Sequence, residues 1–313
     1  MKCATCEGPT IKWGTDRNGH QRYRCKSCGA TVTDTPDNPI APMRIGMERA
    51  TLILSLLVEG MSIRSVERVT GHHRDTVTRL LVLAGRKCER LLAELCQDVE
   101  VEDVEADELW CYVGMKEKTK VGQGIDDPQL GDAYTFIGME RNSKLVLAWE
   151  LGRRTTQHTD AFVEKLDRAT AGRFQVTTDG LNTYPDAIGY HLGTRTDYAV
   201  LIKEYGSDAS EEHRYSPPSI IGITKTPVHG NPDRDRICTS IVERQNLTVR
   251  MQMRRFTRLT NGFSKKWENL KAALALHFAH YNLCRMHSSI RMTPAMKAGV
   301  TRSIWGVGEL LAA

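Results

Sequence analysis

The sequence lacks any apolar stretch long enough to cross a membrane. The longest one, from Ala50 to Val58, is followed by Glu59 and Gly60, whereas a membrane helix needs roughly 18 apolar residues. The first residues, Met-Lys-Cys, open no signal sequence. Low-complexity composition is absent too, because apolar residues form 40% of the 313 residues and recur along the chain. We therefore expect a folded cytoplasmic protein without membrane contact.

The chain also lacks a strong net charge and an even number of cysteines. Forty-three Lys and Arg residues oppose 38 Asp and Glu residues, and the net charge of +5 hints at a polyanionic partner without establishing one. Nine cysteines cannot all pair within one chain, so reduced intracellular thiols are expected. At roughly 100 to 200 residues per domain, the length predicts two or three domains.

Four cysteines crowd the first thirty residues as two CxxC pairs. They are Cys3, Cys6, Cys25 and Cys28. Eighteen residues separate the pairs, a spacing that predicts one zinc ion held by four thiolates. Gly8 and Gly29, just beyond the pairs, are expected to permit the tight turns. Such a closed site leaves no open coordination position, which favours a structural role, and free or redox-active thiols are the alternative.

A helical segment follows a proline-rich linker from Thr33 to Pro42. Between residues 44 and 97 the apolar residues recur at spacings of three and four. A helix that ends at Gly71 and another that starts at about His73 predict a helix-turn-helix. Its second helix would contact DNA through Arg74, Thr78 and Arg79. The alternative is an all-helical packing module with a solvated basic face.

Beyond residue 99, short runs rich in β-branched and aromatic residues alternate with helical segments, which predicts a mixed α/β domain. Asp107 closes one strand-like run, Asp179 closes another, and Glu243 lies on a later helix. These three carboxylates can converge on two Mg²⁺ or Mn²⁺ ions about 4 Å apart. Neighbouring acids leave two of the assignments open: Asp103, Glu105 and Glu108 compete with Asp107, and Asp186 competes with Asp179.

A strongly basic stretch follows Glu243, because no acidic residue occurs between Arg244 and Trp267. The residues of this stretch predicted to contact DNA are Arg244, Arg254, Arg255 and Arg258. Arg250 lies two helical turns after Glu243, so both side chains point the same way and Arg250 can hold a phosphate near the metal ions. The alternatives for this stretch are a solvated face and a contact to an acidic partner.

Two motifs carry a family resemblance. The order Asp107, Asp179, Glu243, with VERQNLTVR around the glutamate and YNLCRMHSSIRMTPA from Tyr281 to Ala295, resembles the DDE transposases of bacterial insertion sequences, above all the insertion sequence one family. The tail is also similar to the end of retroviral-type integrase cores. The resemblance covers nearly the whole chain. It implies a zinc ribbon (1–35), a helix-turn-helix domain (44–97), a ribonuclease-H-like catalytic domain with a mixed sheet (100–298, insertion about 203–238) and a tail (299–313).

The resemblance also implies a function. The protein would bind the terminal inverted repeats of its element, hydrolyse a phosphodiester with two metal ions and join the freed 3′ end to target DNA. Asp107 would bridge the ions, and Asp179 and Glu243 would each complete one coordination sphere. Double-stranded DNA and further copies of the chain would be its partners, in the bacterial nucleoid. A DNA-binding regulator without catalysis and a nuclease without strand transfer are the alternatives.

Overall fold

The computed structural model describes residues 2–3, 5–16, 19–34, 39–41, 43–206, 219–257 and 260–313. Contacts along the chain divide it into two compact units, Met1–Ile45 and Gly46–Ala313. The predicted boundary near residue 97 falls inside the second unit.

The first unit is a small antiparallel sheet in which β2 is the central strand. Its strands are β1 (Thr10–Thr15), β2 (Gln21–Cys25) and β3 (Thr31–Thr33). Few apolar side chains are buried in its described part: Cys3, Cys25, Ile40 and Ile45. A core of this size does not stabilise a domain alone, and small domains of this kind usually depend on a metal or disulfides.

The second unit is a mixed α/β structure, as expected. Its helices are α1 (Met47–Val58), α2 (Ile63–Thr70), α3 (Arg74–Leu95), α4 (Glu117–Gly122), α5 (Thr156–Ala169), α6 (Tyr184–His191), α7 (Ser240–Gln252), α8 (Trp267–Ala279), α9 (Pro294–Lys297) and α10 (Val307–Ala312). Its strands are β4 (Val99–Glu100), β5 (Asp103–Val113), β6 (Gly131–Glu140), β7 (Val146–Gly152), β8 (Thr170–Ala171), β9 (Phe174–Thr178), β10 (Thr196–Tyr205) and β11 (Ile220–His229). None of the described helices combines the length and apolar character needed to cross a bilayer.

Six strands form one mixed sheet in the order β11-β10-β9-β5-β6-β7. Strands β5, β6 and β7 pair antiparallel, whereas β9 and β10 run parallel to β5, and β11 adds an antiparallel edge. Strand β11 comes from the predicted insertion at 203–238, of which residues 207–218 lie outside the described part. The sheet places β5 and β9 at its centre, where they pair with each other from Asp103 to Ala106 of β5.

Helices cover both faces of the sheet. On one face, Phe136 of β6 stacks on Phe162 of α5 at a centroid distance of 5.9 Å. On the other face, Trp149 of β7 packs on Phe278 of α8 at 5.6 Å. Because successive residues of a strand point to opposite faces, β5 sends its side chains alternately to these two layers.

Helix α2 ends at Gly71 and α3 begins after His73, as the sequence predicted. Ser62 caps α2 by accepting a hydrogen bond from the Ser65 N–H at 3.1 Å, and Gly71 ends α2 in the left-handed region at φ 72°. Helix α3 follows after His73. The DNA contact expected of α3 stays a prediction.

Helices α3 and α8 lie close together at Gly85 of α3, where the absence of a side chain leaves room for the backbone of α8. A Cβ atom on Gly85 would lie 2.4 Å from the Cα of Ala272, which is a contact with backbone. We expect Gly85→Ala to lower the free energy of unfolding by about 1–3 kcal/mol, because the helices must separate. Gly189, in α6, has open space around it, so Gly189→Ala should instead raise stability by up to about 1 kcal/mol. Urea unfolding of both variants tests the contrast, and equal effects would contradict it.

The tail motif that carried the family resemblance ties a helix to the sheet. Asn282, wholly buried in the π-helical turn His280–Cys284, accepts a hydrogen bond from the Val146 N–H at 3.0 Å and donates one to the Val146 carbonyl at 2.9 Å. Strand β7 is the sheet edge, so the side chain of Asn282 satisfies backbone groups that a neighbouring strand would otherwise pair.

His277, in α8, makes folding sensitive to acid. Burial, followed by the charges of His280 and Arg285, lowers its pKa to about 3. Between pH 6.5 and 3 the unfolded chain therefore binds a proton at this position that the folded chain does not, and stability falls as the pH falls. Relative to His277→Leu, the wild type should lose about 1.4 kcal/mol per pH unit between about pH 6 and 4. Parallel denaturant curves at several pH values test this, and a pH-independent difference would contradict it.

Candidate metal centres

The four N-terminal cysteines meet in one cluster. Their Sγ atoms all lie within 4.8 Å of one another, with 3.6 Å between Cys3 and Cys28 and 3.5 Å between Cys6 and Cys25. Sulfurs bound tetrahedrally at about 2.3 Å from a zinc ion stand about 3.8 Å apart, so the cluster has the size of a zinc site. None of the chain's cysteines forms a disulfide.

Backbone groups support the thiolate form in this cluster. The Ser27 N–H donates to Cys25 Sγ at 3.3 Å, and the Thr5 N–H donates to Cys3 Sγ at 3.4 Å. The Cys28 N–H is the largest cause of the lowered pKa of Cys25, about 6. A thiolate at neutral pH is the form that binds a metal ion.

The two turns of the cluster use different residues in the left-handed region. Gly29 adopts it at φ 72°, as expected, but at the first turn Glu7 does so, at φ 56°. Gly8 is needed for a different reason, because a Cβ there would lie 2.6 Å from Ser27 Oγ and 3.2 Å from Cys25 Sγ. The first glycine therefore permits a close approach between the two CxxC turns.

A second cluster lies in the middle of the large sheet. Asp107, Glu108 and Asp179 each bring one carboxylate oxygen within 4.8 Å of the others. Asp179 directly follows β9, as expected, whereas β5 does not end at Asp107 but continues to Val113. In the register, Thr178 at the end of β9 lies opposite Ala106, so Asp107 is the first residue of β5 beyond its parallel neighbour.

Both carboxylate oxygens of Asp107 are oriented by hydrogen bonds. Asn246 Nδ2, on α7, donates to Oδ2 at 2.7 Å, and the Glu108 N–H donates to Oδ1 at 2.8 Å. Each oxygen keeps a further lone pair for a ligand. The Asn246 side chain was not predicted as part of the site; its position three residues after Glu243, on the same helix, was the available signal.

Burial and neighbouring negative charges disfavour the charged forms of the carboxyls in this cluster. Burial, followed by the charge of Asp179, raises the pKa of Asp107 to about 6 and that of Glu108 to about 8, and burial raises the pKa of Asp179. Arg154 NH2 is the cation in contact, 3.2 Å from Glu108 Oε2 and 3.7 Å from Asp179 Oδ2. Oxygen donors of this kind suit Mg²⁺ or Mn²⁺, so the residues present fit the divalent ions that the sequence implied.

Glu243, the third predicted metal ligand, lies outside this group of three. Its Oε1 accepts a hydrogen bond from Thr239 Oγ1 at 2.7 Å and pairs with Lys203 Nζ of β10. It is near enough for its charge to raise the pKa of Asp107. The structure thus brings Asp107 and Asp179 together and leaves Glu243 alongside, on α7.

The other acids considered near these positions are engaged elsewhere. Glu105 Oε2 accepts the N–H groups of Ile241 and Val242, at 2.7 and 3.1 Å, and so caps the start of α7. Asp103 pairs with Arg236 at 2.8 Å. Asp186 is exposed in α6. Glu108 alone among the competitors enters the cluster.

The side chains predicted to contact DNA differ in their exposure to solvent. Those that are exposed are Arg74, Arg79, Arg244 and Arg254. Thr78 is half-buried, and its Oγ1 donates to the Arg74 carbonyl at 2.8 Å. Arg255 instead turns inward, where NH1 donates to Ser264 Oγ at 2.7 Å and burial lowers its pKa to about 10.

Two further predicted arginines complete the basic stretch. Arg250 donates from NH1 to the Phe256 carbonyl at 3.5 Å, so its guanidinium lies against the segment that follows α7. Its charge also lowers the pKa of Cys111, a residue on the same face of β5 as Asp107. Arg258 lies outside the described residues.

Comparison with known proteins identifies no family for this chain. No protein-family model matches the chain, and no curated protein matches it. Among solved structures, it is similar to a piggyBac transposase in a synaptic complex with hairpin DNA, seen by cryo-electron microscopy. That match has 10% sequence identity and a TM-score of 0.37, and it covers 85% of this chain and 69% of the other. Function is therefore inferred from the site itself.

Proposed function

We propose that the chain is a DDE-type DNA transposase that cuts the ends of an insertion sequence and joins them to target DNA. The observation that carries the proposal is the meeting of Asp107, Glu108 and Asp179 where the central parallel strands separate. Ligands commonly bind at the carboxyl ends of parallel strands, where neighbouring chains diverge. The mixed sheet, with three antiparallel strands followed by parallel ones, supports a ribonuclease-H-like catalytic domain.

In this proposal the chain's own residues hold and orient the reacting groups. Asp107 and Asp179 bind the divalent ions, and Asn246 fixes the direction in which Asp107 offers its oxygens. Glu243 completes the site from α7 after leaving Lys203. Magnesium held there supplies a water of lowered pKa and positive charge for the departing 3′ oxygen. Arg250 holds a phosphate near the cut through its planar guanidinium.

DNA binding in this proposal uses both units. The zinc-stabilised unit and the exposed Arg74 and Arg79 of α3 recognise the terminal repeat. Arg244 and Arg254 contact phosphates beside the acidic cluster. A second copy of the chain serves the other end of the element, so the active form is a homodimer or a larger assembly. The proposed location is the bacterial nucleoid.

A DNA-binding regulator is the second candidate. The observation in its favour is the pairing of Glu243 with Lys203 and Thr239, which keeps this carboxylate out of the cluster. A regulator would bind the repeats with undiminished affinity and show no divalent-dependent cleavage.

Incubation of the purified protein with a labelled element end, an unlabelled target and Mg²⁺ separates the candidates. A transposase produces end cleavage and a joined product, and both disappear in Glu243→Gln while DNA binding persists. Cleavage without any joined product indicates a nuclease. Binding without cleavage indicates the regulator and contradicts the proposal.

A further inference from the structure

We propose that Glu108 is a direct metal ligand, the third of the ion site formed with Asp107 and Asp179. This inference deepens the proposed function, because it concerns the same site, and it assigns a carboxylate outside the Asp107, Asp179, Glu243 set that the family resemblance implied. It rests on three features of the fold: the open edge of β5, the burial of Glu108, and the engagement of Glu243 elsewhere.

The first feature explains how neighbouring residues of a strand reach one ion. Successive side chains of a strand point to opposite faces of the sheet, so Asp107 and Glu108 should be separated by the sheet itself. Asp107 does face α7, where it meets Asn246, and Glu108 faces the layer that contains Tyr184 of α6. Because β9 ends opposite Ala106, no strand of the described part pairs with β5 at Asp107 and Glu108 on this side. The two side chains therefore meet around the open edge, next to Asp179.

The second feature is the burial of the Glu108 carboxylate, one of whose oxygens lacks a well-formed hydrogen bond. The Glu108 side chain is 3% exposed, and its Oε2 pairs with Arg154 NH2 at 3.2 Å. Its Oε1 makes no contact of full hydrogen-bond geometry among the described residues, although the Tyr184 hydroxyl beside the carboxylate favours its charged form. The Tyr184 hydroxyl, fully buried beside it, also lacks a partner that meets hydrogen-bond geometry. A buried carboxylate oxygen without a well-formed hydrogen bond is destabilising, and such groups in a native fold call for an explanation. A divalent ion at the open edge would provide one by binding the Glu108 carboxylate in place of Arg154.

The third feature is the contrast with Glu243. That side chain is 43% exposed and already has Lys203 and Thr239 as partners. Glu108 instead pairs with Arg154. The Arg154 side chain is 44% exposed, so it can move into solvent when an ion takes its place beside Glu108. Asp107, Glu108 and Asp179 would therefore hold the first ion, whereas Glu243 would have to leave Lys203 before it could bind one.

Manganese binding to the zinc-loaded full chain, without DNA, tests this assignment. Electron paramagnetic resonance counts free Mn²⁺ and gives the affinity of the first ion. Glu108→Gln keeps the size of the side chain, removes its charge and should weaken that affinity at least roughly tenfold. The control Glu150→Gln, a carboxylate of β7 paired with Lys165, should stay within about twofold of wild type. Glu243→Gln should weaken the affinity less than Glu108→Gln does. Normal affinity in Glu108→Gln would overturn the proposal.

Crystals of the wild-type protein soaked in Mn²⁺ decide the question if Glu108→Gln fails to fold. The anomalous signal should place an ion roughly 2 Å from a Glu108 oxygen. An ion bound only by Asp107, Asp179 and Glu243 would overturn the proposal. The two proposals also fail separately: Mn²⁺ bound through Glu108 without DNA cleavage rejects the transposase, whereas cleavage with normal Mn²⁺ binding in Glu108→Gln rejects only this ligand.

Discussion

Replacement of Cys25 by serine is expected to unfold residues 1–45 and to leave residues 46–313 folded. Cys25 is a buried member of the sulfur cluster, and the unit around it has few buried apolar side chains in its described part. Binding of structural zinc by four thiolates contributes on the order of 10–16 kcal/mol to folding at neutral pH. Loss of one thiolate therefore removes the main source of stability of this unit.

Zinc content and limited proteolysis measure this expectation. The wild type should hold one zinc ion per chain, and Cys25→Ser close to none, with rapid cleavage confined to the first 45 residues. Cys238→Ser is the matched control, because Cys238 is half-buried and far along the chain from the cluster; it should keep the zinc. Full zinc content or a protease-resistant N-terminal unit in Cys25→Ser would contradict the structural role.

Replacement of Asp107 by asparagine is expected to remove divalent-dependent DNA cleavage. Both oxygens of Asp107 are oriented from within the protein, by Asn246 and by the Glu108 N–H. A metal ion stabilises the transition state by several kcal/mol, so its loss should slow cleavage by at least roughly a thousandfold. Asparagine keeps the shape of the side chain, and binding of element ends should stay within a few-fold of wild type.

Single-turnover cleavage of a labelled end, with binding measured in parallel, tests this expectation. Asp186→Asn provides the control, since Asp186 is an exposed acid of α6 that competed with Asp179 in the sequence. It should cut at the wild-type rate. Wild-type cleavage by Asp107→Asn would remove this residue from the site.

The features that the sequence predicted best are those set by local spacing. The four cysteines lie within thirty residues, so their spacing alone indicated a shared ion, and the structure gathers them. The mixed α/β character and the end of β9 before Asp179 were likewise predictable, because strand-like runs and turn residues mark them. The DNA contacts and the catalytic roles stay predictions.

The features that could not be predicted from the sequence depend on contacts between segments that are far apart along the chain. Strand alternation sends Asp107 and Glu108 to opposite faces of the sheet, and only the end of β9 opposite Ala106 lets the two side chains meet. Basic residues near Glu243 appeared equivalent, yet Arg255 turns inward to Ser264. Glu243 of α7 pairs with Lys203 of β10, 40 positions away along the chain, and no local spacing indicates such a pair.

Strand transfer tests the central claim most directly. A labelled element end with a free 3′ hydroxyl, mixed with the protein, Mg²⁺ and a supercoiled target, should yield covalently joined product. The same reaction with Asp179→Asn should yield none while the variant still binds the end. No joined product from the wild type, or equal product from Asp179→Asn, would contradict the assignment of this acidic cluster as the centre of a transposase.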